Sequence, residues 1–343
     1  MDFTLSDEQQ MFAETARTLL GDTCTPDHWR KMMEQGVAFD AARWGQIVEN
    51  GFTLLLLPEA AGGMGLTELD FALIAREAGY VALPEPLAES AGVGAPMLAA
   101  LAPDHPALAN PGAIIAVTPA INPVVANAEI AAAILIEKDG HAFVTTPDKV
   151  RLTPAETIDP FRRLFRIEWD ESQAQDLGPA DWTLALDRAS LFAAAQGLGL
   201  AQRSVDLAVA YAQERTQFGK PIGSYQAVKH HLASAQVAIE FARPVVLTAA
   251  AEIANGDVQS RARVSEAKIV ALEAAEKAAR ASIQVHGAMG YSWEVDVHLF
   301  LKRALALKQA WGTPAFHRNR IATRVFTQPV GADKTFAREM THA

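Results

Sequence analysis

From Pro179 to about Val325 the chain keeps an apolar repeat at alternating spacings of three and four, and such a stretch can bury its apolar side chains only by packing helix on helix. In the first predicted helix Leu184, Leu191, Leu198 and Val205 recur every seven residues, with Ala194, Ala201 and Ala208 three positions after the last three. A leucine stripe beside an alanine stripe lets a neighbouring helix approach closely. A second helix follows Gly219-Lys220-Pro221-Ile222-Gly223 and carries Tyr225, Val228, Leu232, Ala235, Ile239, Ala242, Val246 and Ile253; Pro244 within it predicts a kink. The third, from about Arg261 to Val285, is alanine-rich on more than one face, which predicts helices on two sides and an apolar surplus for contact between subunits. The fourth runs from about Val295 to Gln309, with more helix after Pro314. Residues 179–325 therefore read as a four-helix bundle with short connections.

At 343 residues the chain exceeds what one core usually organises. Residues 1–108 read as a helical domain: Thr4-Leu5-Ser6-Asp7-Glu8 offers caps before Met11, Phe12, Leu19 and Leu20, and Leu66-Thr67 opens a second helical run. Between them Pro58-Glu59-Ala60-Ala61-Gly62-Gly63-Met64-Gly65 is either a tight structural turn or a phosphate cradle. Residues 109–178 change to β texture. Ala113–Val117 is one strand, Asp139-Gly140 separates two apolar runs as a hairpin turn would, and Leu164–Trp169 alternates. Residues 326–343 form a polar tail, expected to be loose.

Composition narrows the function. A net charge of −10 gives no footprint for nucleic acid or anionic membrane. The single cysteine, Cys24, excludes an internal disulfide and a multi-thiolate metal site, and fits a reducing cytoplasm. Charged residues cut every apolar run short of a bilayer span, and MDFTLSDEQQ lacks the basic start of a secretory signal, so neither membrane insertion nor export is expected.

Two clusters interrupt the bundle's periodicity with groups that packing does not need. Glu214-Arg215-Thr216-Gln217-Phe218-Gly219 ends the first helix, with Gly219 read as the stop and Arg215 in the last turn, either as a capping cation or reaching for a diphosphate. Gln284-Val285-His286-Gly287-Ala288-Met289-Gly290-Tyr291 ends the third, exposing backbone N–H groups and an amide that can pair with a polar ring.

Together with Leu57-Pro58-Glu59-x-x-Gly62-Gly63-x-Gly65 and the small central sheet, these motifs resemble the acyl-CoA dehydrogenases over nearly the whole chain, although Ala288 replaces the second glycine of the last motif. The resemblance implies an α+β, mostly α fold: a helical N-terminal domain, a small central β-barrel or sheet, and a C-terminal four-helix bundle. It implies that Arg215, Gln217, Phe218, Gln284, Gly287 and Gly290 contact FAD bound mainly by a neighbouring subunit. It also implies a reaction in which a glutamate removes the α-proton of a CoA thioester while the β-hydrogen leaves as hydride to the flavin.

The chain departs from that pattern at three places. Residues 105–130 lack the family's flavin-facing Thr-Glu-Pro and Gly-Ser-Asp segments; Trp311 stands where the usual base lies, and Ala189 stands where a minority of members place theirs. Asp187, Glu294 and Asp296 are acids nearby, read as solvated or helix-capping, and Gly197-Leu198-Gly199 as a close helix contact rather than a nucleotide loop. The departures resemble the partner-type subunits of heteromeric acyl-CoA dehydrogenases that act on bulky or steroid-derived thioesters. A self-sufficient homo-oligomeric flavoenzyme with another base, and a non-catalytic assembly or acyl-CoA-binding relative, are the alternatives.

Overall fold

The structure, a computed structural model, describes residues 4–118, 121 and 124–327. Most of the tail expected to be loose therefore lies outside the described residues, as do positions 119, 120, 122 and 123 of the departed flavin-facing stretch.

The N-terminal helices begin where their caps are. Ser6 and Gln9 form a reciprocal capping box at the start of α1 (Asp7–Thr23), and Thr67 with Asp70 does the same for α4 (Glu68–Tyr80). Between them lie α2 (Pro26–Gln35) and α3 (Ala41–Glu49). The glycine-rich turn before α4 uses its own amides: Gly63 N–H donates to Pro58 O, Gly65 N–H to Leu57 O and Leu66 N–H to Leu55 O. A Cβ on Gly63 would lie 2.1 Å from Leu57 O, so the turn is structural rather than a phosphate cradle. After α4, one helical run contains α5 (Leu87–Glu89), a π-wound stretch Ser90–Gly94 and α6 (Ala95–Leu101).

Among the described residues seven strands follow: β1 (Ile115–Val117), β2 (Val125–Ala126), β3 (Ala133–Lys138), β4 (His141–Thr145), β5 (Arg151–Ala155), β6 (Leu164–Glu168) and β7 (Gln175–Pro179). The predicted Asp139-Gly140 turn joins β3 to β4, both residues having positive φ as a tight hairpin requires. Of the barrel or sheet expected, the structure has the sheet form. The strands form two open sheets, β1-β3-β4-β7 and β2-β6-β5, with no ladder closing them among the described residues. Strands of two and three residues supply too few hydrogen bonds to close a barrel.

The C-terminal half is the expected bundle: α7 (Trp182–Glu214), α8 (Gln226–Glu252), α9 (Val258–His286) and α10 (Val297–Gln309), with α11 (Pro314–Thr327) laid against α9. Leu191, Leu198, Val205 and the alanine stripe of α7 are all buried. Gly197-Leu198-Gly199 makes the close contact expected of it, for a Cβ on Gly199 would fall 1.9 Å from Arg76 O of α4. Helix α9 packs on α7, α8, α10 and α11, and no large apolar side chain of it is exposed, so the expected intersubunit surplus on this helix is covered within the chain. Buried Arg303 of α10 ties the three regions together by donating to Leu83 O at 2.8 Å and pairing with Asp159. No helix among the described residues is long and apolar enough to cross a membrane.

Candidate functional site

The first bundle helix ends earlier than its sequence implies. Helix α7 stops at Glu214 because Arg215 takes an extended ψ of 117°; β8 (Thr216–Gln217) then pairs with β9 (Lys220–Pro221). Phe218 and Gly219 form the tip, at φ 53° and 81°. Gly219 is thus a hairpin residue rather than a helix stop. A phenylalanine in the left-handed region is strained, and strain of this kind clusters at sites of contact with ligands. Phe218 is 92% exposed, steadied by an edge-on contact with Tyr225, whose Oη donates to Gln217 O at 3.2 Å. The exposed Arg215 guanidinium has no hydrogen-bond or ion-pair partner among the described residues, while Gln217 Nε2 donates to Thr216 O.

Helix α9 ends at His286, with Gly287 at φ 61° as its cap and a short 3-10 turn over Gly287–Tyr291. Gln284 is exposed, and its amide bonds to nothing among the described residues. Gly290 is explained by packing, since a Cβ there would approach Ile283 O to 2.7 Å. The two helix ends meet through a pair that sequence reasoning missed. The rings of Tyr211 and His286 stack at 4.2 Å and 23°, and His286 Nδ1–H donates to Ser282 O at 2.8 Å. Burial lowers the His286 pKa, which favours the neutral ring. The signal was position: Tyr211 stands just ahead of the first motif, and His286 lies within the second, two residues after Gln284.

The two positions at which the resemblance leads one to expect a base also come together. Ser190, next to buried Ala189, donates to Trp311 O at 3.3 Å. Trp311, at φ 54°, follows α10 and lines a cavity of about 240 Å³ with Leu305, Ala306 and Gln309 of that helix and with Val117, Ala126 and Leu164 of the strands. No carboxylate stands at either position. The one acid in this wall among the described residues, Glu89, was not singled out from sequence because nothing local marks it; its carboxylate faces Arg162 at 3.3 Å. Two acids expected to be solvated or capping are instead paired. Asp187 is buried against Arg320, and burial raises its pKa in spite of that cation; Asp296 is held by Arg30 at 2.9 Å. Glu294 is exposed.

These surroundings discriminate between two placements for a flavin dinucleotide. The cavity between strands and bundle is smaller than the roughly 300–1,000 Å³ of ordinary ligand pockets, mostly apolar, and walled by Trp311. It does not fit the cofactor. The bundle end does fit a group held from outside: an unpaired guanidinium suits a diphosphate, a free amide suits a polar ring, and an exposed aromatic suits a planar one.

Two family models match the chain, "acyl-CoA dehydrogenase, N-terminal domain" over residues 6–104 and "acyl-CoA dehydrogenase, C-terminal domain" over residues 178–326. The acyl-CoA dehydrogenase IpdE2 of Mycobacterium tuberculosis (strain ATCC 25618 / H37Rv) is 32% identical over 329 residues, which cover 95% of this chain and 100% of that protein. Among solved structures, the ChsE4-ChsE5 complex from Mycobacterium tuberculosis superposes with a TM-score of 0.85 at 23% identity, covering 96% of this chain and 100% of that one. A variant of the Tcur3481-Tcur3483 steroid ACAD gives 0.82 at 23% identity, covering 94% and 99%.

Proposed function

We propose a function from one premise: the chain belongs to the acyl-CoA dehydrogenase family. It acts as the base-free subunit of a FAD-dependent acyl-CoA dehydrogenase and lends Arg215, Gln217, Phe218, Gln284, Gly287 and Gly290 to a flavin held by a second, partner subunit. The observation that carries this reading is the division within one chain. The base positions hold buried Trp311 and Ala189, whereas the Arg215 and Gln284 side chains at the bundle ends stand exposed with no partner among the described residues. When bound, FAD supplies the acceptor for the hydrogen leaving the β-carbon of the thioester. This chain's part is to bind and orient: Arg215 neutralises diphosphate charge, Gln284 reads a polar ring edge, and Phe218 covers a planar face. The bulky, steroid-derived class of acyl group is supported by the steroid ACAD among the structural neighbours, and the heteromeric arrangement by the ChsE4-ChsE5 complex.

A homo-oligomeric, self-sufficient enzyme is the second reading, and Glu89 is the observation that favours it, being a carboxylate in the same cavity wall as Trp311. Its pairing with Arg162 counts against a free base there. Flavin content separates the two. The chain expressed alone should carry FAD well below one per subunit, and co-expression with a base-bearing subunit of the same family should restore about one FAD per pair. Full FAD loading of the chain alone would favour self-sufficiency.

A further inference from the structure

Beside the cavity, the turn that carries Trp311 is held by a lysine that the proposed function does not use. Lys268 sits in the middle of α9, 2% exposed, and no carboxylate pairs with it among the described residues. Its Nζ donates to the carbonyls of Ala310 and Gly312, the latter at 2.7 Å, and lies 3.3 Å from Nε2 of His317. The bonds of His317 decide what charge that amine carries. His317 Nε2 lies 3.0 Å from Trp311 O, which can only accept, so Nε2 bears the hydrogen; Nδ1 then accepts from the Ser265 hydroxyl at 3.0 Å. A ring nitrogen that bears hydrogen cannot accept from Lys268. An ammonium would therefore bury a third N–H with no acceptor, whereas a neutral amine has two N–H bonds for the two carbonyls and a lone pair facing His317.

The electrostatic surroundings agree with this geometry. Burial, helped by the charge of Arg162, lowers Lys268 to about 7, and burial with Lys268 and Arg320 nearby lowers His317 to about 3. Arg320 of α11 is itself paired with Asp187 of α7, which also feels Arg261, and no titratable side chain of α8 or α10 bonds to Lys268 among the described residues.

We propose that Lys268 is a positioning residue which, as a neutral amine, locks the 310–313 turn and so holds Trp311 in the wall of the cavity. Proton uptake from solvent at Nζ undoes the lock. For His317 to accept the third N–H, its ring hydrogen must move from Nε2 to Nδ1, where the Ser265 hydroxyl turns to accept it; Nε2 then faces the Trp311 carbonyl lone pair to lone pair, and that carbonyl is left to the Ser190 hydroxyl. The shape of the cavity beside Trp311 therefore follows the protonation of a lysine that does not line it.

The test uses the full chain labelled with ¹³Cε-lysine and 5-fluorotryptophan, with the Lys268 and Trp311 signals assigned by their loss in Lys268→Met and Trp311→Phe. The Lys268 carbon should titrate near neutrality, far below the exposed lysines, and the Trp311 fluorine line should move with the same midpoint. In Lys268→Met that movement should vanish. If Lys268→Met does not fold, Lys268→Arg, which cannot become neutral, serves for assignment, and the shared midpoint in the unmodified chain decides alone. A Lys268 carbon that titrates with the exposed lysines, or a Trp311 line indifferent to pH across neutrality, overturns the proposal.

Discussion

An exposed guanidinium without an internal partner contributes little to folding, whereas one facing a diphosphate makes charge-assisted bonds of roughly 1.5–3 kcal/mol each. Arg215→Ala in the assembled enzyme should therefore weaken FAD retention by about tenfold or more while the thermal midpoint of the apoprotein barely moves. Titration of FAD into both apo forms checks this, and equal affinity would leave Arg215 a solvated surface cation. Lys268 gives a second prediction at this scale. Its folded pKa of about 7 lies below the ordinary value of 10.5, so the unfolded chain holds the extra proton between those two values. Its contribution to stability is complete above pH 10.5 and is lost as pH falls toward 7; His317, at about 3 against an ordinary 6.5, loses its own below 6.5. The thermal midpoint of the unmodified chain should fall on going from pH 10 to 7 by more than that of Lys268→Met. Arg215 and Gln284 were legible in the sequence because they break an apolar pattern at helix ends. Lys268 was not, because it stands inside an alanine-rich helix and its acceptors are carbonyls more than forty positions away.

Helices α4 and α7 cross at Gly199, where a methyl group would meet backbone rather than a movable side chain. Gly199→Ala should lower stability by about 1–3 kcal/mol or more through overpacking, measurable by urea denaturation, and an unchanged midpoint would mean that the helices can part without cost. The helices, their caps and the Asp139-Gly140 hairpin were readable from local patterns. The sheet arrangement was not, since which short strands pair is decided by contacts far apart in sequence, and the resemblance left barrel or sheet open where the described strands form two open sheets. The end of α7 was misread for a related reason: Gly219 carries the same positive φ in a helix cap and in a hairpin tip, and only the pairing of Gln217 with Lys220 tells them apart.

At the scale of the molecule, the large apolar side chains left exposed for association lie off the alanine faces of α9. Phe218, Tyr291 and Trp293 are exposed near the bundle end, and Val237 and Phe241 stand out along α8. Size-exclusion chromatography with light scattering, run on the chain alone and on the chain co-expressed with a base-bearing subunit, should find a complex in the second, and a monomer in both would count against any shared site. The division of labour is tested most directly by acyl-CoA-dependent reduction of an artificial electron acceptor, measured with the FAD-loaded chain alone, with the reconstituted pair, and with the pair carrying Arg215→Ala. General-base catalysis typically contributes about 10²–10⁴-fold, so the chain alone should be slower than the pair by at least that factor, and Arg215→Ala should depress the pair at limiting FAD. Turnover by the chain alone equal to that of the pair, and abolished by Glu89→Gln, would contradict the base-free assignment.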